Sequence, residues 1–189
     1  MTQTVNAEIL GLRELTCEET LIVMDVNQLV GACLNETGRN CVVRVNAVTG
    51  SRVIEYALRG RKTAQGQRVI IGSSAIIMET FVYTLSTNPN PDERVPEKEA
   101  QMWFLALMNQ LNRRGALFFD RTQWDRRELK ELAKQDWGMP DWEDQAVYQT
   151  MLNLGADAIV GHDTGFKGRV ERNGRMWIDP QMVKTLMAA

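Results

Sequence analysis

The sequence predicts a single α+β domain over residues 1–189, with helices packed against a mainly antiparallel sheet. Three observations lead there. Strand-length apolar runs separated by turn residues fill the region from Leu21 to Gly72. After Gly72 the apolar period changes from two to 3.6. Near the end, Asn173-Gly174 stands between two strand-like runs. No internal repeat, low-complexity tract or linker divides the chain.

The elements follow in order. Leu21-Ile22-Val23-Met24 has strand length, and polar punctuation comes at Asn35 to Asn40. The β-rich runs from Cys41 to Val45 and from Val53 to Leu58 flank Thr49-Gly50-Ser51, which reads as a hairpin turn. The run from Arg68 to Gly72 completes an antiparallel meander. Ser73 or Ser74 then caps a helix over 75–85, because a serine oxygen accepts from the free amides of a first turn. Three prolines make 86–96 a loop. From Glu97 the residues Ala100, Trp103, Phe104, Leu107, Met108 and Leu111 form one helical stripe, with Trp103, Phe104, Leu107 and Leu111 predicted buried. Ala116 to Phe119 is a short buried strand. Thr122 or Asp125 caps a charged helix ending near Trp137-Gly138. Pro140-Asp141 opens another helix, which runs to Leu154 and stops at Gly155, a residue suited to left-handed backbone. Ala158 to Val160 is a strand, Asn173-Gly174 turns a C-terminal hairpin, and Asp179-Pro180 starts a terminal helix.

Composition narrows the function classes. The chain is 44% hydrophobic and 24% charged, with a net charge of -2. Such a near-neutral chain has no general electrostatic pull toward nucleic acid, which argues against a nuclease-like or nucleic-acid-binding domain. Three cysteines without C-x-x-C spacing disfavour a disulfide framework and fit a reduced, cytoplasmic setting. The one histidine, His162, cannot build a zinc site alone, so no metal is expected. The start has no basic and apolar leader pattern, and the longest apolar stretch, Val69 to Met78, is too short to span a bilayer. P-loop, G-x-G-x-x-G and G-x-S-x-G motifs are all missing.

His162 and Asp163 sit just past a strand, between Gly161 and Gly165, where polar side chains and close backbone approach make binding sites. The plainer reading of the same segment is helix–strand punctuation followed by a turn. The charged stretch from Arg113 to Lys134 interleaves both signs and reads as a self-compensated helix face.

The blocks Trp142 to Val147 and Leu154 to Val160, the polar loop with Asp163, and Met176 to Lys184 resemble the closing part of ADP-ribosyltransferase-like domains of the small phage and mobile-element type. The resemblance covers about the last 50 residues. It implies NAD as substrate and an acidic residue near the last strands that stabilises the ribose cation as nicotinamide leaves. Asp163 matches that position, with Glu171 in reserve, since Arg175 stands where the commoner family acid sits. The family's dinucleotide-binding Arg or His maps onto Arg44 or Arg59, and its Ser-Thr-Ser motif onto Ser73 and Ser74. Tyr83 and Trp142 are candidates to stack on nicotinamide or adenine, with His162 beside the cleft. The implied function is transfer of ADP-ribose to a cytoplasmic macromolecule, a protein sooner than a nucleic acid, as some phage inhibitors of host defence of this type do. The alternative is a non-enzymatic phage or mobile-element binding, inhibitor or virion protein.

Overall fold

The computed structural model describes residues 15–39, 44–136, 139, 141–162, 164, 165 and 167–187. The apolar run at Leu21 lies at its centre. Strand β1 (Glu19–Met24) buries its last four side chains and pairs in parallel on both edges. On one side Leu21 faces Ile70 of β2 (Arg68–Ser74), and on the other Val23 faces Ile159 of β4 (Ala158–Val160). β3 (Leu117–Asp120) joins β2, and β5 (Met176–Ile178) joins β4. The sheet has five strands, all parallel, in the order β3-β2-β1-β4-β5. The fold is therefore α/β, which corrects the antiparallel α+β expectation and the ADP-ribosyltransferase-like frame attached to it. The physical reason is visible in the strands themselves. Leu21-Ile22-Val23-Met24 and Val69-Ile70-Ile71 are continuous apolar runs, as strands covered on both faces must be.

Two segments depart from their predicted state. The residues expected to make a hairpin at Thr49-Gly50-Ser51 form helix α2 (Arg44–Arg59), packed on α1 (Val26–Glu36). Asn46, Thr49, Gly50, Val53, Ile54 and Ala57 are buried at helical spacing, and this tertiary contact overrides their β-propensity. Gly50 is not a turn residue. A Cβ there would lie 2.1 Å from the Gln28 carbonyl oxygen, so glycine permits the close crossing of the two helices. Cys41 to Val43 lie outside the described residues. At the other end, no hairpin turns at Asn173-Gly174. Lys167–Arg172 is the short helix α7, Gly174 is left-handed (φ 68°) in the turn after it, and β5 runs parallel to β4. Asn-Gly satisfies the positive φ that a helix exit needs as readily as that of a hairpin.

The remaining elements form where the sequence places them. Ser74 caps α3 (Ala75–Ser86), its Oγ accepting from the Ile77 amide at 3.2 Å. Helix α4 (Glu97–Arg113) buries Phe104, Leu107, Met108 and Leu111, but Trp103 is only half-buried, with the Arg39 guanidinium 5.4 Å from its ring. Asp125 starts α5 (Arg126–Gln135) with a capping box. Its side chain accepts from Arg127 N at 2.7 Å, while Glu128 accepts from the Asp125 amide at 3.1 Å. Asp125→Ala should cost about 1 kcal/mol, read as a lower urea midpoint with unchanged slope. Helix α6 (Trp142–Leu154) ends at Gly155 with φ 63°, and Asp179 caps α8 (Pro180–Leu186).

Right-handed crossovers place α1 to α4 on one face of the sheet and α5 to α7 on the other. The chain leaves β1 toward β2 but enters β4 from the distant β3, so the winding direction reverses between β1 and β4. In open parallel sheets such a reversal marks the carboxyl ends of the two strands as the place where ligands bind. Among the described residues no helix is long and apolar enough to cross a membrane.

Burial pushes the Cys33 thiol up to about 12, and the nearby Glu36 carboxylate adds to the shift. A protonated, enclosed thiol is a poor nucleophile. In the folded protein, titration with a thiol reagent should label exposed Cys17 quickly and Cys33 only after denaturation. Equal rates for the two, in a peptide map, would contradict this packing.

Candidate functional site

The carboxyl edge of the sheet carries a row of polar residues in register. Ser74 faces Asp120 across β2 and β3. Continuing the β1 pairings beyond Met24 sets Asp25 between Ser74 and Gly161, with Asp179 next beyond Ile178. The backbone supports the continuation: the Asp25 amide donates to the Val160 carbonyl at 2.8 Å, and the Gly161 amide to that of Ile178 at 3.1 Å.

Most of this row is used in building the fold. Asp120 accepts from the Thr122 amide at 2.9 Å and from Asn153 Nδ2 at 3.0 Å. Ser74 bonds Thr150 Oγ1 at 2.8 Å besides capping α3. Asp179 accepts from the Met182 amide at 2.8 Å. Asp25 differs. It occupies the N-cap position of α1, yet its side chain makes no capping bond, and it is 4% exposed. An aspartate at an N-cap normally spends an oxygen on the first-turn amides. Here the carboxylate is held, nearly buried, at the switch point of the sheet, and its interactions lie elsewhere.

Helix α6 brings a second carboxylate toward the same edge. Its end is fixed beside the early part of β1, where the Leu21 amide donates to Asp157 Oδ2 at 2.8 Å. Thr150 reaches Ser74 at the carboxyl edge, so the first turn of α6 projects beyond that edge. Asp144, in that turn, shares a helical face with Val147, Tyr148 and Met151, which are all buried against the main core. It is half-buried and partnered. Glu79, just over one turn into α3, is exposed, and its side chain makes no ion pair or hydrogen bond among the described residues. Asp163 lies outside the described residues, two positions after Gly161.

The residues singled out from sequence do not assemble into one pocket. Ser73, Ser74 and His162 reach the carboxyl edge. Ser73 is enclosed, however, Ser74 is a structural cap, and His162 is exposed. Arg44 is exposed at the start of α2. Arg59 ends that helix in an ion pair with Glu55 (3.1 Å), close in sequence to Lys62, which pairs with Glu18 at the opposite edge. Glu171 is exposed on α7 and faces Lys167 at 3.8 Å. Tyr83 and Trp142 meet edge to face at 5.6 Å, and the Arg126 guanidinium lies 4.1 and 4.4 Å from their rings. That stack joins α3, α5 and α6 through a satellite core. Gly161 is glycine for packing. A Cβ there would meet the Trp177 ring at 2.4 Å, so the absent side chain is filled by tryptophan.

Asp25 and Asp144 were missed as site residues in the sequence. The available signal was Asp25 directly after a continuous apolar run, which in a parallel sheet marks the functional edge. Among the described residues no three His, Cys, Asp or Glu side chains form a metal-binding group.

No family model matches the chain, and no curated protein matches it in sequence.

Proposed function

We propose that the protein is a divalent-cation-dependent phosphodiesterase acting on nucleic acid, with Asp25, Asp144 and Asp163 as its cation-holding carboxylates. The carrying observation is Asp25, a nearly buried carboxylate at the sheet's switch point that does not cap its own helix. Asp144 approaches the same edge on α6, and Asp163 follows β4, the strand next to β1. Carboxylates drawn from separate elements to one edge suit a hard cation such as Mg²⁺ or Mn²⁺, which takes oxygen ligands. The scarcity of His and Cys argues only against zinc. When bound, such a cation supplies Lewis-acid polarisation of a phosphodiester and a more acidic water. The chain's own part is to hold the Asp25 and Asp144 carboxylates at a strand end and a helix start and to exclude bulk water beside β1. Glu79, exposed on α3, is the proposed acceptor of the proton from an attacking water. A net charge of -2 bears on the whole surface and does not exclude local basic patches.

The test is cleavage of end-labelled single-stranded RNA and DNA with Mg²⁺ or Mn²⁺ against a chelator control. Cation binding is followed independently as a rise in Tm with Mn²⁺. Cleavage that survives chelation, or no cleavage of either polymer, overturns the reading.

The transfer of ADP-ribose from NAD, drawn from the resemblance, shares Asp163 as its acid, but the parallel sheet removes the frame in which that residue was placed. Release of nicotinamide from NAD without added metal is the result that would favour it. A folded protein inactive in both assays would favour the non-enzymatic binding protein.

A further inference from the structure

We infer that the polar slot between α5, α6 and α7 is a nucleobase subsite that sets sequence preference on a single-stranded substrate, an inference that rests on the phosphodiesterase reading. The slot is an open depression of about 640 Å³. Amides and guanidinium groups dominate its walls: Gln135 from α5, Gln145 and Gln149 from α6, Arg169 and Arg172 from α7, with the Asp136 carboxylate, Tyr148 and Leu132 completing the lining. Gln145 directly follows Asp144, so one turn of α6 supplies both the slot wall and a proposed cation-holding carboxylate.

The inner groups are pre-set by a hydrogen-bonded chain. Gln149 Nε2 donates to Gln145 Oε1 at 3.4 Å, Gln145 Nε2 approaches Asp136 Oδ2 at 3.5 Å, and Arg169 Nη2 meets the same oxygen at 2.7 Å. Arg169 Nε is buried with no hydrogen-bond partner. The Gln135 and Arg172 side chains, on the rim, make no hydrogen bond or ion pair among the described residues. Planar amides and guanidinium forks with open donor and acceptor positions match the edges of nucleobases, which they read in pairs of hydrogen bonds.

The surface leaving the slot suits a strand rather than an isolated small molecule. Past Leu132 and Gln135 a shallow apolar groove reaches the half-buried Trp124, a platform for a stacked base. Arg127 borders it and Lys130 lines the adjoining depression, neither in an ion pair among the described residues, whereas Glu131 is held by Lys134 at 2.7 Å and Glu128 by the capping box. Two cations are therefore open to backbone phosphates on a face that sequence alone reads as self-compensated.

The experiment measures binding of short fluorescent homopolymers of each base by anisotropy in chelator, and maps cleavage sites on a mixed-sequence strand with Mn²⁺. Wild type should prefer one base at least about fivefold over the worst. Gln149→Ala and Arg172→Ala should flatten that preference while leaving the melting temperature and the salt dependence of Gln149→Ala unchanged. Arg127→Ala should weaken all homopolymers alike. Absence of base preference in wild type, preference surviving both slot variants, or binding of none of the polymers overturns the inference. Base-selective binding without metal-dependent cleavage leaves the slot standing and overturns the phosphodiesterase reading alone.

Discussion

Asp25→Asn should lower Mn²⁺-dependent cleavage by at least about 10²–10³, the usual cost of removing one electrostatic stabiliser from an active centre. The variant keeps the side chain's size and removes only its charge. Because the Asp25 carboxylate makes no capping bond to α1, the helix does not lose a cap. Replacing the buried carboxylate by an amide also removes the desolvation cost of a charge, which offsets part of what its other interactions supply. The distinguishing readout is the metal itself: Mn²⁺ should raise the Tm of wild type and not that of Asp25→Asn. Asp163→Asn should behave in the same way. Glu171→Gln, an exposed residue on α7, should cleave as wild type does. If Asp25→Asn retains full cleavage and Mn²⁺ response, the carboxyl edge between β1 and β4 is not the site.

Phe104→Ala should cost on the order of 3–5 kcal/mol from lost transfer energy and the cavity left behind. Phe104 is 1% exposed and packs 5.4 Å from the Phe81 ring, where α3 and α4 meet. For a chain of this size each kcal/mol shifts Tm by roughly 2–4 °C, so the loss is readily seen by thermal melting. Trp103→Ala should cost distinctly less, because its half-buried ring gives up contacts at the surface, among them the Arg39 guanidinium. The apolar stripe along α4 alone ranks the two residues equally. Comparable midpoints for the two variants would mean that the helix is rotated from the arrangement described.

How much was legible beforehand differs along the chain. Local chemistry was readable: a serine before α3, the capping box at Asp125, the glycine after α6 and Asp-Pro before α8 are each decided by neighbouring amides and by φ. The long amphipathic helix from Glu97 and the strands at Leu21, Arg68, Ala116 and Ala158 were likewise written in apolar spacing. Sheet direction was not, because a short apolar run pairs either way. The choice depends on what covers its faces, and helices from distant segments cover both. The stretch from Arg44 to Arg59 is helical because Gly31 and Gly50 let α1 and α2 approach closely, a contact invisible to either segment alone.

The candidate site divides along the same line. Sequence singled out Asp163 and His162 as polar residues past a strand, and left Asp25 and Asp144 unremarked. Nothing local separates an aspartate that caps a helix from one that holds an ion. Asp120, Asp125, Asp141 and Asp179 all cap helices or close turns. What the sequence by itself determined is the set of helix ends, strand cores and charges. What only the tertiary structure decided is which strand ends lie side by side, since winding order sets the ends of β1 and β4, more than a hundred residues apart, next to each other.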